Sequence, residues 1–140
     1  MNTTRAIGTG FEPFAIHPTQ GPWRDPVAML LRAEALVELG LAVWAYRALG
    51  GGWLIFAALF LVPDFSMAGY LVSRQVGAHA YNLGHTYLAP AVLALAGFVM
   101  GTQHPAVLSL VWAAHIGFDR VLGFGLKYTS GFGDTHLNRR

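Results

Sequence analysis

The chain has 140 residues, of which 54% are hydrophobic and only 11% charged, with a net charge of +2 and no cysteine. Soluble domains carry about 25% charged residues, so this chain has too little charge to solvate the surface of a water-soluble fold. Disulfides and thiolate metal sites are excluded, and without a Lys/Arg run the partners indicated are membrane lipids and not nucleic acid.

Residues 1–25 lack the continuous apolar core of a signal peptide and are rich in Gly, Pro and polar residues. They read as a cytoplasmic arm lying partly on the membrane interface through Phe11, Phe14 and Trp23. Four segments follow that are long enough to cross a hydrocarbon core, which takes about 20 helical residues: 26–49, 53–72, 75–101 and 105–128. Asp25 before Pro26 has the pattern of an N-cap with proline in the first turn. The connections "GGG" (50–52), "SRQ" (73–75) and "TQHP" (102–105) are short, which makes neighbouring helices antiparallel. The expected fold is all-α: a four-helix transmembrane bundle over 26–128, up-down-up-down, followed by a cytoplasmic tail over 129–140. Arg5, Arg24, Arg74, Lys127, Arg139 and Arg140 all fall on one side, against Arg47 alone on the other, so both termini are expected in the cytoplasm.

Each span carries groups that lipid disfavours by about 2.5–3.5 kcal/mol apiece: Arg32, Glu34 and Glu38 in the first, Asp64 in the second, His79, Asn82 and His85 in the third, His115, Asp119 and Arg120 in the fourth. Counted from the cytoplasmic ends, Glu34, Asp64, His85 and Asp119 are each about eight to ten residues in, which places them in one layer roughly 12–15 Å deep. His115 and Asp119 are four residues apart and share a helix face, as do Glu34 and Glu38, and Tyr81 and His85. Pro63 and Pro90 each remove a helical hydrogen bond, next to Asp64 and just past His85–Thr86.

Three readings of the layer stand side by side. It is a structural ion-pair network holding the helices together. Or it is a metal site, with a divalent ion as the cofactor, held by His85, His115, Asp119 and Asp64 or by a larger carboxylate set. Or it performs metal-free acid–base chemistry. The leading expectation is a membrane-embedded enzyme acting on a lipid or isoprenoid-like substrate, with Asp64, Glu34, His85, His115 and Asp119 as catalytic candidates. The alternative is a non-enzymatic accessory subunit of an oligomer or larger membrane complex, or a small proton-coupled channel or carrier. The tail "KYTSGFGDTHLNRR" either folds back as a cap, bringing Lys127, Tyr128 and His136 to the cytoplasmic mouth to bind an anionic head group, or is a solvated end. Tyr81, Asn82 and Arg120 join those three as candidate head-group or substrate contacts.

The stretches "LRAEAL" (31–36), "PDFSMAGYL" (63–71), "GAHAYNLGHTY" (77–87) and "AHIGFDRVLGFGLKYTSGFGDTHL" (114–137) resemble an uncharacterised family of small bacterial four-span integral membrane proteins, catalogued as a domain of unknown function. The resemblance covers nearly the whole chain after residue 27. It implies a multi-pass protein of a bacterial inner (cytoplasmic) membrane, with no established activity. The matching motif positions are Glu34, Asp64, Ser66, Tyr70, Tyr81, Asn82, His85, His115, Asp119, Arg120, Lys127, Tyr128 and His136. Glu38 and His79 fall outside the motif.

Overall fold

The structure, a computed structural model, describes residues 25–137. The expected N-terminal arm, apart from Asp25, and the basic residues Arg5, Arg24, Arg139 and Arg140 lie outside that range. The described chain is all-helical: five α-helices, one 3₁₀ run, and no strand beyond a single Lys127–Thr135 bridge.

Helix α1 spans Pro26–Ala48. Its start is as the sequence suggests: the Asp25 carboxylate accepts the Val27 N–H at 2.9 Å, and Pro26 has no N–H left to satisfy. Its buried stripe is Ala28, Ala35 and Ala42, spaced by seven. At its far end the fully buried Tyr46 donates from its hydroxyl to the Gly52 carbonyl at 2.8 Å, and the Arg47 guanidinium donates to the Gly51 carbonyl, which together close the triple-glycine turn.

The second and third spans are not continuous α-helices. Helix α2 (Trp53–Phe60) passes into a 3₁₀ run over Val62–Leu71, where Pro63 interrupts the α-helical ladder and Asp64 N–H bonds instead to Leu61, three residues back. The third segment divides into α3 (Arg74–Gly84) and α4 (Leu88–Val99), bent by 44°. Pro90 has no N–H for the Thr86 carbonyl, so the ladder fails over 85–87, where the sequence places the kink. The Gly84 carbonyl has lost its helical donor and accepts from the Trp112 indole at 2.7 Å, while Leu88 N–H turns to the Thr86 hydroxyl. Backbone groups freed at membrane depth persist where other parts of the protein satisfy them in this way. The 3₁₀ run packs closely on α3: a Cβ at Gly77 would lie inside the Tyr70 ring.

Helix α5 (His104–Leu122) is the centre of the fold, packing on α1, α4 and α2. It stops six residues short of the expected 128. Gly123 takes a left-handed conformation (φ 92°), and Phe124 N–H returns to the Asp119 carbonyl at 2.8 Å, a Schellman-type stop. The chain then folds back as a small hairpin. Tyr128 N–H bonds to Asp134 O at 2.8 Å, His136 N–H bonds to Leu126 O at 3.1 Å, and the Ser130 hydroxyl braces the turn on the Asp134 carboxylate. The tail over these residues is therefore the cap and not a loose end.

The outer surface is apolar. Leu71 and Phe98 are 90% and 84% exposed, and leucines and valines of every helix point outward, while the largest fully buried side chains are Tyr46, Ile116, His115 and Val111. In water this arrangement would expose far more contiguous apolar surface than a monomer tolerates. Trp53–Leu71 and His104–Leu122 are each long and apolar enough to cross a membrane, and the bent α3–α4 pair is a third candidate. The protein has the build of a membrane protein.

Candidate metal centre

Four side chains from three parts of the chain meet in the interior. Asp64 comes from the start of the 3₁₀ run, His85 from the end of α3, and His115 and Asp119 from one face of α5. Their donor atoms all lie within 4.8 Å of one another. His85 Nε2 is 3.2 Å from His115 Nε2, 3.4 Å from Asp119 Oδ2 and 3.5 Å from Asp64 Oδ1. His115 Nε2 is 3.6 Å from Asp64 Oδ1 and 3.9 Å from Asp119 Oδ2. An ion with bonds of about 2.0–2.1 Å in tetrahedral geometry holds its donors about 3.3 Å apart, and the five distances cluster around that edge.

The surrounding groups fix how these donors point. His85 Nδ1 lies 2.9 Å from the Tyr81 carbonyl one turn back, so it carries the proton and donates, leaving the Nε2 lone pair facing the other three residues. The Tyr81 ring stacks on the His85 ring with centroids 3.7 Å apart, and its hydroxyl donates to Asp119 Oδ2 at 3.2 Å. The Phe60 ring packs edge-on against His115. Both imidazoles are buried, whereas the Asp64 side chain is 41% exposed. Asp64 and Asp119 open onto a cavity of about 510 Å³ walled by Met67, Phe118, Leu122, Phe124 and Phe132, with Lys127 also on its wall.

The other residues singled out in the sequence are placed as follows. Glu34 does not join the quartet. It is exposed on α1 and, with Glu38, Tyr87, Arg120 and His136, lines a separate cavity of about 240 Å³. Asn82 is a clamp: its amide oxygen accepts Lys127 N–H at 2.7 Å and its amide nitrogen donates to Lys127 O at 2.8 Å. Arg120 points away from its neighbour Asp119, toward the Tyr87 ring and to within 3.1 Å of His136 Nε2. Tyr128 is exposed, and so is His79. Lys127 is only 7% exposed, with its ammonium 3.5 Å from the Phe132 ring centre and 4.1 Å from that of Tyr81. Phe132 is a site residue that sequence pattern alone does not single out. The signal there is only a lone aromatic between Gly131 and Gly133 in an otherwise polar tail.

His136 accepts the Leu126 N–H at Nδ1, 2.9 Å away. Partial burial and then the Arg120 guanidinium lower its pKa, with the Leu126 hydrogen bond opposing them. A histidine lowered in the folded state binds protons more weakly there than when released. Its contribution to docking is therefore complete above the unfolded value of about 6.5 and is lost as pH falls from there toward the folded value. Amides of 126–136 are expected to exchange faster at about pH 5.5 than at about 7.5 after correction for intrinsic rates, and His136→Gln is expected to flatten that dependence. Hydrogen-exchange mass spectrometry checks both.

Over residues 28–139 the chain matches the family model described as Domain of unknown function (DUF4260). No curated protein and no solved structure matches it.

Proposed function

The chain belongs to that family, and we propose that it is a membrane-embedded metalloenzyme that holds one divalent transition-metal ion between Asp64, His85, His115 and Asp119 and acts on a lipid-soluble substrate in the adjoining cavity. The observation that carries this reading is that five of the six donor–donor distances fall between 3.2 and 3.9 Å, close to the edge of a tetrahedral site. Charge supports it as well. Two carboxylates and two neutral imidazoles around a divalent ion sum to zero, which is the cheapest way to keep two aspartates inside a bilayer. Imidazole with carboxylate suits Zn or Fe over Mg or Ca.

A bound divalent ion supplies Lewis-acid polarisation of a substrate oxygen. The chain's own groups do the rest. Tyr81 and the Tyr81 carbonyl hold Asp119 and His85 in place, and the phenylalanines line an apolar wall beside them. Asp64, the most exposed of the four, is the donor best placed to exchange with a substrate group or to accept its proton. The charged helix α1 serves in this reading as a fourth span, completing an up-down-up-down bundle with both termini on the cytoplasmic side of a bacterial inner membrane.

Elemental analysis of detergent-purified protein, as isolated and after loading with Zn²⁺, Fe²⁺ or Mn²⁺, tests the centre. About one ion per chain, retained through gel filtration, is the expected result. Trace metal under every loading condition overturns it.

A further inference from the structure

The cavity beside the quartet holds one more charged group, and its surroundings are unusual for lysine. Lys127 is buried, with its ammonium enclosed by the rings of Phe132, Tyr81 and, at 5.4 Å, Tyr70. The close carboxylate–imidazole contacts of the quartet do not include Lys127. Aromatic faces attract a cation but bring no formal negative charge. Burial draws the lysine's pKa below its ordinary value, an effect that Asp119 and Asp64 oppose only in part.

The position of this ammonium is built rather than incidental. The two-way Asn82 clamp fixes the Lys127 backbone from α3, and the hairpin lays Phe132 over the side chain. A lysine free to extend into water would have no need of either device.

The charge balance then identifies the missing partner. With a divalent ion in place the two aspartates are neutralised, and Lys127 is left as the net charge of an otherwise apolar cavity. A buried cation without an anion is costly, and a single negative charge cancels it. Resting on the metal-centre reading, we infer that the cavity takes an amphiphile with one anionic head group, a carboxylate or a phosphodiester, seated between Lys127 and the Asp64–Asp119 side of the centre. The apolar chain runs along Met67, Phe118, Leu122 and Phe124, a wall continuous with the protein's apolar outside. The volume, about 510 Å³, accommodates a medium-length chain within the range of ordinary ligand pockets.

The test is a calorimetric titration of the full-length protein in nanodiscs of neutral lipid, with metal content read on the same samples. The probes are dodecanoate, dodecyl methyl phosphate, dodecanol and acetate. The metal-loaded protein is expected to bind one or both of the acids about tenfold or more tighter than dodecanol, with acetate too weak to detect. The relative strength of the two acids tells a fatty acid from a phospholipid-like head. Lys127→Met, which keeps the buried stem, is expected to bring acid and alcohol to parity. If that variant does not fold, the wild-type comparison still decides. Equal binding of acids and alcohol by metal-loaded wild type overturns the acidic head group alone and leaves the metal centre standing. Acetate binding as tight as dodecanoate overturns the amphiphile. A protein that holds no metal overturns the centre and, with the charge balance gone, this inference too.

Discussion

Replacing His115 with alanine is expected to abolish stoichiometric metal binding, weakening it by more than about 100-fold. Outer partners of a metal ligand cost about 10–100-fold when removed, and His115 is a donor itself, within 3.2–3.9 Å of the other three. The variant also leaves a hole where a buried ring was, at a cost of about 3–5 kcal/mol if it resembles loss of other buried rings, so a lower melting temperature alone does not test the claim. The discriminating readout is the response to a chelator. An ion present at 100 times its Kd stabilises the folded protein by about 2.7 kcal/mol. The wild type should therefore lose stability on chelation, whereas His115→Ala should not respond. Tyr81→Phe supplies a graded control. It deletes only the hydroxyl that donates to Asp119, and an intermediate loss of affinity is expected. A wild type whose stability is indifferent to chelation, alongside an equally indifferent His115→Ala, would overturn the metal centre and return the quartet to an ion-pair network or a metal-free acid–base site.

The second large effect is expected at Asn82. Asn82→Leu keeps the size and removes both hydrogen bonds to the Lys127 backbone. Each partly buried backbone group left without a partner costs about 1–3 kcal/mol, so the cap is expected to be weakened by about 2–6 kcal/mol in total. Hydrogen exchange should accelerate over 126–136 while α4, which packs on α5, keeps its protection. Equal acceleration everywhere would mean that Asn82 stabilises the whole bundle. No acceleration in the tail would mean that the hairpin holds itself.

The grouping of Asp64, His85, His115 and Asp119 was legible in the sequence because two kinds of information coincided. Residue counting gave depth, and the His115–Asp119 spacing of four gave direction around the helix axis. Glu34 shows what depth alone lacks. It sits at the right level, but the buried stripe of α1 runs through Ala28, Ala35 and Ala42, and one residue away from Ala35 is about 100° around the helix. Its neighbours are thus the exposed side of α1 and the Arg120–His136 cavity. Hydropathy likewise registered the apolar run 121–126 as continuing helix, although Gly123 and Gly125 within it carried the opposite signal. Backbone geometry at Gly123 decided the matter. The 3₁₀ run after Pro63 was hidden for a similar reason: a window average records how oily a segment is and not which carbonyl each amide reaches.

The division of the quartet among the 3₁₀ run, α3 and α5 has a consequence for biogenesis. Asp64 and His85 leave the ribosome some thirty residues or more ahead of His115 and Asp119, so the earlier pair emerges before its two partners on α5 can meet it. In the metal-centre reading, capture of an ion by all four side chains comes only after α5 has arrived.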